Sequence, residues 1–476
     1  MPSSPLRGVN VTESIVPRYH RTIDFEVLTR EYPPPPEYFD NVWRWPREQI
    51  DALQGQRLRE AIHRAWQIPF HRRRWSEAGL NPFHIRDGSD LPRIPFYTID
   101  DIRESLERCP PLGDYHPFTL DEARHTPLRI FWSGGTTGEP RPTVFTQWDR
   151  EVGAILSART YYLHGLRPGD VVMNAWAYST HNAAWIMDHA LWHWLGCVPI
   201  TTGTGLVTPS ERQIEIAQQY GVTSILAVSD YLLHLAATAR KMGLDPQQDL
   251  NVHTLSAFGN TGPVKEAWGC PVYDSYAFHE VQYVAAECPV GGGLHVFEDA
   301  FIVEIVDFET GKPLPAGEQG NIVVTCLYKT GTQQIRYNIQ DISRLYPPGR
   351  CACGSWLRRM DPFQGRSDTM VKLRGINIWP EAIGRLIAGE TRLNGEYFCY
   401  VERVEGATGP RDEMTVLVEC LDADADRESI RRDLEEHLRN RLGVQLNVRP
   451  VAPTELHALT GYGVRAKLVR FQDRRR

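Results

Sequence analysis

Residues 170–177, DVVMNAWA, open a stretch in which short apolar runs alternate with helical patterns. The alternation continues through HALWHWLG (189–196), CVPITT (197–202), PSERQIEIAQQYG (209–221) and TSILAVS (223–229). Apolar runs of strand length separated by helix-length segments are typical of βαβ units, in which helices connect parallel strands. The stretch therefore predicts an α/β fold with a mostly parallel sheet.

Strands of a different kind follow this region. FIVEIVD (301–307) and NIVVTCL (321–327) are separated by a turn rich in Gly and Pro, which predicts an antiparallel pair and a β-rich subdomain. After GRSD (365–368), strand and helix patterns alternate in a smaller α+β unit. We therefore expect a large N-terminal domain, 1–365, and a small C-terminal domain, 366–476.

The region before these strands has two textures. The run EYPPPPEYF (31–39) is typical of irregular, polyproline-like chain. Residues 47–80 carry apolar side chains at helical spacing, including Ile50, Leu58 and Ile62, and predict helix.

Length and composition exclude several classes of protein. With 476 residues, the chain is too long for one hydrophobic core. A net charge of −7 with scattered Lys and Arg argues against a nucleic-acid partner. No apolar run is long enough to span a membrane, and the first residues, MPSSPLRGVN, lack the apolar segment of a secretion signal. We therefore expect a cytoplasmic protein.

A second informative stretch is FWSGGTTGEPRPT (131–143), in which hydroxyl side chains lie among glycines. The backbone N–H groups of such a loop can bind phosphate oxygens. The P-loop pattern requires a lysine after its last glycine, whereas this stretch has Glu139 there. Taken alone, the stretch is more typical of a structural turn.

Three further motifs change that interpretation. YDSYAFHE (273–280), IRYNIQDIS (335–343) and GRSDTMVKLRGINIWPEAI (365–383) follow the loop in this order. Together the four motifs resemble those of the adenylate-forming superfamily. Two segments, IPFHRRRW (68–75) and GLHVFEDAFIVEI (293–305), together with LRGINIWPEAI, are most similar to phenylacetate–CoA ligases.

The resemblance implies an ATP-dependent enzyme that activates a carboxylic acid as an acyl-AMP with release of pyrophosphate. We expect the acid to be aromatic. It implies ATP and Mg²⁺, with CoA as the acceptor. An amine, another small nucleophile or a carrier protein stays open as an alternative acceptor, and so does a degenerate nucleotide-binding protein without catalysis. A small-molecule acid is the expected partner, and a homodimer is one assembly compatible with the sequence.

The resemblance also assigns roles to individual residues. It places Glu280 on Mg²⁺, Asp341 on the ribose hydroxyls, Arg366 on the ribose or phosphate, and Asp368 at the hinge between the domains. The phosphate loop and the adenine-binding residues would be Ser133, Gly134, Gly135, Thr136, Thr137, Gly138, Gly259, Asn260 and Tyr276.

Two departures from the family pattern bear on nucleotide binding. Glu139 replaces the loop lysine, and a carboxylate facing a triphosphate at 4 Å would cost about 4 kcal/mol at an effective dielectric of 20. We therefore expect Glu139 to point away, with Arg141 or Mg²⁺ supplying the positive charge. The family RYRTGD element has become RYNIQD (336–341), which predicts a different loop backbone before Asp341.

The family also uses a lysine near the chain end to stabilise the adenylation transition state. The corresponding segment here is LTGYGVRAKLVRF (459–471). Lys467 is the lysine of that segment, and an ungapped alignment places Arg465 in the same position. We assign the role to Lys467, with Arg465 as the alternative.

The acid pocket is expected in the aromatic stretch NAWAYSTHNAAWIMDHALWHW (174–194) and near FGNTG (258–262). Aromatic walls suit an aryl acid, and His181 with Asn182 suggests a substrate that bears hydroxyl or amino groups. The candidate lining residues are Tyr178, His181, Asn182, Trp185, Phe258 and Ala277.

A last pattern predicts a metal site. Cys288 and His295 form Cys-x6-His, and Cys351 with Cys353 forms Cys-x-Cys. A Cys3His set suits structural zinc, and buried free thiols are the alternative. The other cysteines stand singly in apolar sequence and are predicted to lie in the core; they are Cys109, Cys197, Cys270, Cys326, Cys399 and Cys420.

Overall fold

The computed structural model describes residues 18–133, 141–374, 376–406, 409–462 and 468–475. Several residues singled out above lie outside these ranges, and their predicted roles stay predictions. They are Gly134, Gly135, Thr136, Thr137, Gly138, Glu139, Arg465 and Lys467.

The described residues form helices along most of the chain. The α-helices are α1 (Phe25–Glu31), α2 (Glu37–Asp40), α3 (Arg47–Trp66), α4 (Pro69–Glu77), α5 (Ile99–Arg108), α6 (Leu120–His125), α7 (Gln147–Leu163), α8 (Ala183–His189), α9 (Ser210–Gln219), α10 (Ser229–Lys241), α11 (Thr261–Trp268), α12 (Ile383–Ile387), α13 (Arg427–Leu442) and α14 (His457–Thr460). A π-helical turn, Ala190–Trp194, continues α8, and short 3₁₀ turns occupy Tyr19–Arg21, Val42–Arg44, Pro82–His84, Gly88–Arg93 and Pro380–Ala382.

The strands concentrate between residues 129 and 473. They are β1 (Arg129–Ser133), β2 (Arg141–Phe145), β3 (Val171–Asn174), β4 (Val198–Thr201), β5 (Ser224–Val228), β6 (Leu255–Phe258), β7 (Val272–Phe278), β8 (Gln282–Glu287), β9 (Leu294–Val296), β10 (Phe301–Val306), β11 (Gly320–Cys326), β12 (Tyr337–Ser343), β13 (Arg359–Met360), β14 (Val371–Leu373), β15 (Ile376–Ile378), β16 (Leu393–Gly406), β17 (Gly409–Cys420), β18 (Asn447–Val451) and β19 (Phe471–Asp473).

The central sheet has eight strands in the order β13-β9-β8-β7-β6-β5-β3-β4. The pairs from β4 to β7 are parallel, and those from β7 to β13 are antiparallel. The predicted α/β fold with a mostly parallel sheet is therefore confirmed. Because β5 and β6 are parallel neighbours, the turns that lead into α10 and α11 lie at the same edge of the sheet, where ligands of such folds bind.

Four smaller sheets complete the described chain. Two of them are antiparallel pairs, β1 with β2 and β14 with β15. The strands β10, β11 and β12 form an antiparallel sheet, which confirms the predicted pairing of FIVEIVD with NIVVTCL. The strands β18, β17, β16 and β19 form the C-terminal sheet, and α13 follows β17. Buried side chains between Val371 and Val448 pack into a cluster of their own.

Three predictions about the N-terminal part of the chain need correction. Residues 47–80 form two helices, because Pro69 lacks the N–H that an uninterrupted helix needs there and instead occupies the first turn of α4. The run 31–39 is not irregular throughout, since α2 begins at Glu37. Cys109 was expected in the core and is exposed, because it follows the last residue of α5, whereas the other five single cysteines are buried.

None of the described helices combines the length and the apolar character that crossing a bilayer requires.

Candidate active site

The centre of the site is the carboxylate of Asp341, which lies on β12. The hydroxyl of Tyr276, on β7, donates to Asp341 Oδ2 over 2.8 Å, and Arg366 Nη1 lies 3.0 Å from Asp341 Oδ1. Tyr276 is 3% exposed and Asp341 is 7% exposed, so this contact is shielded from solvent. Three residues that were predicted from three separate motifs therefore meet at one point.

Within β12, the residue before Asp341 adopts a conformation that glycine favours. Gln340 has a φ of 66°, which costs a residue with a side chain about 1–2 kcal/mol. The side chain of Asn338 accepts from the N–H of Gln340 over 3.0 Å, and the N–H of Ser367 donates to the carbonyl of Gln340 over 2.7 Å. These two contacts hold the strained backbone of Gln340 in a sequence that has lost the family glycine.

The predicted hinge lies against the same strand. Arg366 donates to both carboxylate oxygens of Asp368 over 2.8 Å, so one guanidinium links Asp341 to Asp368. The N–H of Ile342 donates to the carbonyl of Gly365 over 2.9 Å, and Gly365 has a φ of 142°. The chain thus turns away from β12 at Gly365, whose backbone conformation only glycine adopts readily.

Glu280 lies in a buried environment with two cations close by. It is 8% exposed, and burial raises the pKa of its carboxyl while the charges of Arg141 and Lys329 oppose that shift. Lys329 is fully buried, and its Nζ donates to the backbone carbonyl of Glu280 over 2.7 Å. The Nε atom of Arg141 is buried and has no hydrogen-bond partner among the described residues.

Ser133 is the one predicted phosphate-loop residue that the structure describes. It ends β1, is 7% exposed, and its Oγ has no hydrogen-bond partner within the described chain. A buried hydroxyl without a partner costs free energy unless a ligand satisfies it.

The predicted adenine loop follows β6. Gly259 has a φ of 109°, and a Cβ at that position would lie 3.6 Å from the Oγ of Ser229, the first residue of α10. Asn260 precedes α11 and is exposed. The loop therefore lies against the start of α10 and leaves Asn260 accessible.

On the acid side, Asn182 is completely buried. Its Oδ1 accepts a hydrogen bond from Nη1 of Arg150, and its Nδ2 has no partner among the described residues. A guanidinium only donates, so Arg150 fixes the orientation of the amide and leaves Nδ2 as the free donor. Arg150 is itself positioned by the capping box of Thr146 and Asp149 that begins α7.

Two further buried polar atoms near this region lack partners in the described part of the chain. They are Nε1 of Trp176 and Nε2 of His279. The Trp176 ring packs edge-on against Phe258 with centroids 5.4 Å apart. The His279 ring hydrogen-bonds the backbone of Phe131, and burial lowers its pKa to about 3, so the imidazole is neutral near pH 7.

The remaining predicted acid-pocket residues are placed as follows. The Tyr178 hydroxyl receives a hydrogen bond from Asn174 over 2.8 Å and donates to Asp188 over 3.1 Å. Trp185 packs against Tyr178 and is 37% exposed. His181 and Ala277 are half-buried, and burial lowers the pKa of His181.

The four predicted metal ligands meet in a second cluster. Their ligand atoms all lie within 4.8 Å of one another. The sulfurs of Cys288 and Cys351 are 4.0 Å apart, and the sulfur of Cys353 is 3.5 Å from Nε2 of His295. Strand β9 carries His295, and its pairing with β13 brings the Cys-x-Cys loop alongside.

Sequence reasoning missed five residues of the site. Arg150, Lys329 and Asp274 are buried charged groups, Trp176 lies in the aromatic stretch 174–194, and His279 directly precedes Glu280. Burial raises the pKa of the Asp274 carboxyl to about 7, and backbone N–H groups of Ser275 and Gly259 oppose that shift. The three charged residues have polar neighbours in the sequence, as charged residues at solvated positions do, so the sequence carries no signal of their burial.

Similarity to known proteins agrees with this geometry. The family described as "AMP-binding enzyme" matches residues 95–326, and "AMP-binding enzyme C-terminal domain" matches residues 375–475. The phenylacetate–coenzyme A ligase of Thermus thermophilus is 30% identical over 458 residues, which cover 90% of this chain and 98% of the relative. That of Aromatoleum evansii is 29% identical over 444 residues, which cover 90% and 96%.

Among solved structures, 2-hydroxyisobutyryl-CoA ligase is similar in two of its states. In the postadenylation state, in complex with R3-HIB-AMP, it gives a TM-score of 0.79 at 26% identity, covering 91% of each chain. In the thioesterification state, with 2-HIB-AMP and CoA, the TM-score is 0.64 at the same identity and coverage. The chain described here belongs to the AMP-binding enzyme family.

Proposed function

We propose that the protein activates an aryl carboxylic acid with ATP and transfers the acyl group to CoA. The acid carboxylate attacks the α-phosphate of ATP, and pyrophosphate leaves. The CoA thiolate then attacks the acyl carbon of the resulting acyl-AMP, and AMP leaves. The first step makes a carboxylate reactive toward a nucleophile, which it otherwise is not.

The meeting of Tyr276, Asp341 and Arg366 carries this proposal. A buried carboxylate with one oxygen on a tyrosine hydroxyl and the other on a guanidinium is held in a fixed orientation. Both ribose hydroxyls of a nucleotide can donate to such a carboxylate, while the Tyr276 ring faces the base. We assign Gly259 and Asn260 to the adenine of the same nucleotide.

The phosphate groups would lie between Ser133 and Glu280. The unpartnered Ser133 Oγ can donate to a phosphate oxygen, and the unpartnered Arg141 Nε offers the positive charge that Glu139 cannot. Mg²⁺ prefers carboxylate oxygens, and a cation would reverse the effect of burial on the Glu280 carboxyl. We assign Glu280 to Mg²⁺ and Arg141 to the phosphates.

The acid that fits best is an aryl acid with a polar ring substituent. Phe258 and Trp176 offer aromatic walls, as an aryl ring requires. Asn182 Nδ2 and Trp176 Nε1 are donors without partners among the described residues, and His279 Nε2 is an acceptor without one. A hydroxyl group both accepts and donates, so a hydroxyaryl acid can satisfy both kinds of atom.

The two half-reactions require different neighbours around the acyl group. We propose that residues 366–476 rotate relative to residues 1–365 about Asp368 between the two steps. Lys467 would then contact the reacting groups during adenylation only, and its withdrawal would admit the CoA thiol.

The Cys3His cluster fits structural Zn²⁺. Tetrahedral zinc with Zn–S bonds of about 2.3 Å separates two sulfur ligands by about 3.8 Å, close to the 4.0 Å between Cys288 and Cys351. Four protein ligands leave no coordination position for water, so we assign the site a structural role. Elemental analysis of untagged protein tests the assignment, and stable, metal-free wild-type protein would contradict it.

Acid-dependent exchange of pyrophosphate into ATP tests the function. We expect exchange with hydroxyphenylacetic or hydroxybenzoic acids, and acyl-CoA as the product when CoA is added. Absence of exchange with every aryl acid would contradict the proposal and favour a degenerate nucleotide-binding protein. Exchange without consumption of CoA would instead favour an amine or carrier-protein acceptor.

A further inference from the structure

Helix α10 contacts the C-terminal part of the chain through one of its faces. Asp230 Oδ2 lies 3.0 Å from Nη2 of Arg470, and the ring of His234 packs edge-on against Tyr462 at 5.4 Å between centroids. Residues four apart on a helix share a face, so both contacts arise from the same side of α10. They join residues more than 220 positions apart in the sequence.

Arg470 is held in place by its own domain as well. Its guanidinium donates to both carboxylate oxygens of Glu396 over 2.9 and 3.1 Å and to the carbonyl of Tyr397 over 2.9 Å. The Arg470 side chain is 11% exposed, whereas that of Asp230 is 45% exposed. Arg470 therefore keeps its position and a charged partner when Asp230 is changed.

The contact lies beside the proposed adenine loop. Asp230 follows Ser229, which lies against Gly259 of the proposed adenine loop. In the sequence, Tyr462 and Arg470 flank the segment that contains Lys467 and Arg465. The two contacts with α10 thus hold the chain on both sides of the candidate catalytic residues.

The arrangement of the chain agrees with one of two states of a relative. The TM-score is 0.79 against 2-hydroxyisobutyryl-CoA ligase in the postadenylation state and 0.64 against its thioesterification state. Identity and coverage are the same in both comparisons, so the two states differ in how their parts are arranged. The Asp230–Arg470 contact therefore occurs in an arrangement like that of the postadenylation state.

We propose that Asp230 is a positioning residue that selects the adenylation half-reaction by holding Arg470 on α10, and that the contact breaks when the thioester forms. The inference rests on the proposed two-step function. A contact made in only one of two arrangements shifts their populations by its own free energy. An ion pair with one half-exposed partner is weak enough to be broken in every catalytic cycle.

Three variants at Asp230 test the proposal. Asp230→Asn should lower pyrophosphate exchange about threefold, and Asp230→Lys, which places like charges together, about tenfold or more. Formation of acyl-CoA from synthetic phenylacetyl-AMP should stay unchanged or rise in both variants. Asp230→Glu keeps the carboxylate and should therefore retain most of the wild-type pyrophosphate exchange.

Asp412→Asn is the matched control. Asp412 also pairs with two arginines, Arg403 and Arg475, but both pairs lie within residues 366–476. The substitution should leave the ratio of the two half-reactions unchanged. An equal loss of both half-reactions in Asp230→Lys, or no change in either, would overturn the proposal.

Hydrogen–deuterium exchange of residues 229–241 separates this proposal from the proposed function. With ATP and Mg²⁺ alone, the Asp230→Lys substitution should increase deuterium uptake in residues 229–241, and Asp412→Asn should not. If wild-type protein shows no acid-dependent pyrophosphate exchange, the proposed function fails, while increased deuterium uptake still supports the contact. Unchanged uptake in Asp230→Lys would overturn the contact itself.

Discussion

The ribose-binding part of the site and its acid side differ in how their buried polar atoms are satisfied. Asp341 already receives Tyr276 and Arg366, so the ribose-binding part is a preformed network. On the acid side, Asn182 Nδ2 and Trp176 Nε1 lack partners among the residues that the structure describes. The network around Asp341 orients ATP, which binds in every turnover. The donors without partners on the acid side disfavour acids that leave them unpaired.

The largest expected effect concerns the nucleotide side. Lys467→Ala should lower the rate of adenylation about 10²–10³-fold, because a charge that acts on the transition state contributes about 3–4 kcal/mol. The Kd for ATP should change little, since the contact is made mainly in the transition state. Single-turnover adenylation with 4-hydroxyphenylacetate and ATP binding by calorimetry measure the two quantities.

Arg465→Ala distinguishes the two alignments of this segment. If Arg465→Ala shows the large loss and Lys467→Ala does not, the assignment of the lysine is wrong and Arg465 occupies the catalytic position.

A smaller effect is expected at the preformed network. Asp341→Asn keeps the shape of the side chain but removes the charge that Arg366 and the ribose hydroxyls share. The KM for ATP should rise about 10- to 100-fold, since a hydrogen bond to a charged group contributes about 1.5–3 kcal/mol. Preference among aryl acids should not change, because Asp341 is assigned to the ribose and not to the acid.

Steady-state kinetics with two acids at varied ATP measure this separation. A change in acid preference as large as the change in the KM for ATP would show that the two sides of the site are coupled. That result would contradict the difference inferred between them. Glu298→Gln is a suitable control, because Glu298 is a buried carboxylate that pairs with Arg47 of α3 and not with a residue of the network.

The two sides also differ in how far the sequence predicted them. Tyr276, Asp341 and the Cys3His ligands lie in short motifs, where the spacing of a few residues indicates the chemistry. Arg150 and Asn182 are 32 residues apart, and their contact depends on how α7 packs against α8. A buried arginine has the same sequence signature as a solvated one, so its role requires the tertiary structure.

The fold shows the same division. Alternating apolar runs predicted the parallel sheet, and the glycine-rich turn predicted the β10–β11 pair, because both are local patterns. The break at Pro69 and the left-handed backbone conformation of Gln340 were not predicted, since neighbouring contacts decide them. In particular, the Asn338 side chain and Ser367 hold Gln340 in a conformation that its own preference disfavours.

The smallest expected effect tests the acid side directly. Asn182→Asp keeps an oxygen for Arg150 but removes the Nδ2 donor, so the buried guanidinium stays paired and the fold should survive. The kcat/KM for the best of 2-, 3- and 4-hydroxyphenylacetic acid should fall about tenfold, as expected for one hydrogen bond lost to a buried ligand group. The value for phenylacetic acid should change less than about threefold, because that acid has no ring oxygen for Asn182.

Trp176→Phe is the matched variant: it keeps the aromatic wall against Phe258 and deletes only the Nε1 donor. If both variants reduce all four acids by the same factor, these donors support the structure of the pocket and do not select the substrate. A selective loss in either variant identifies the donor that binds the ring hydroxyl, since phenylacetic acid differs from the hydroxylated acids only in that group.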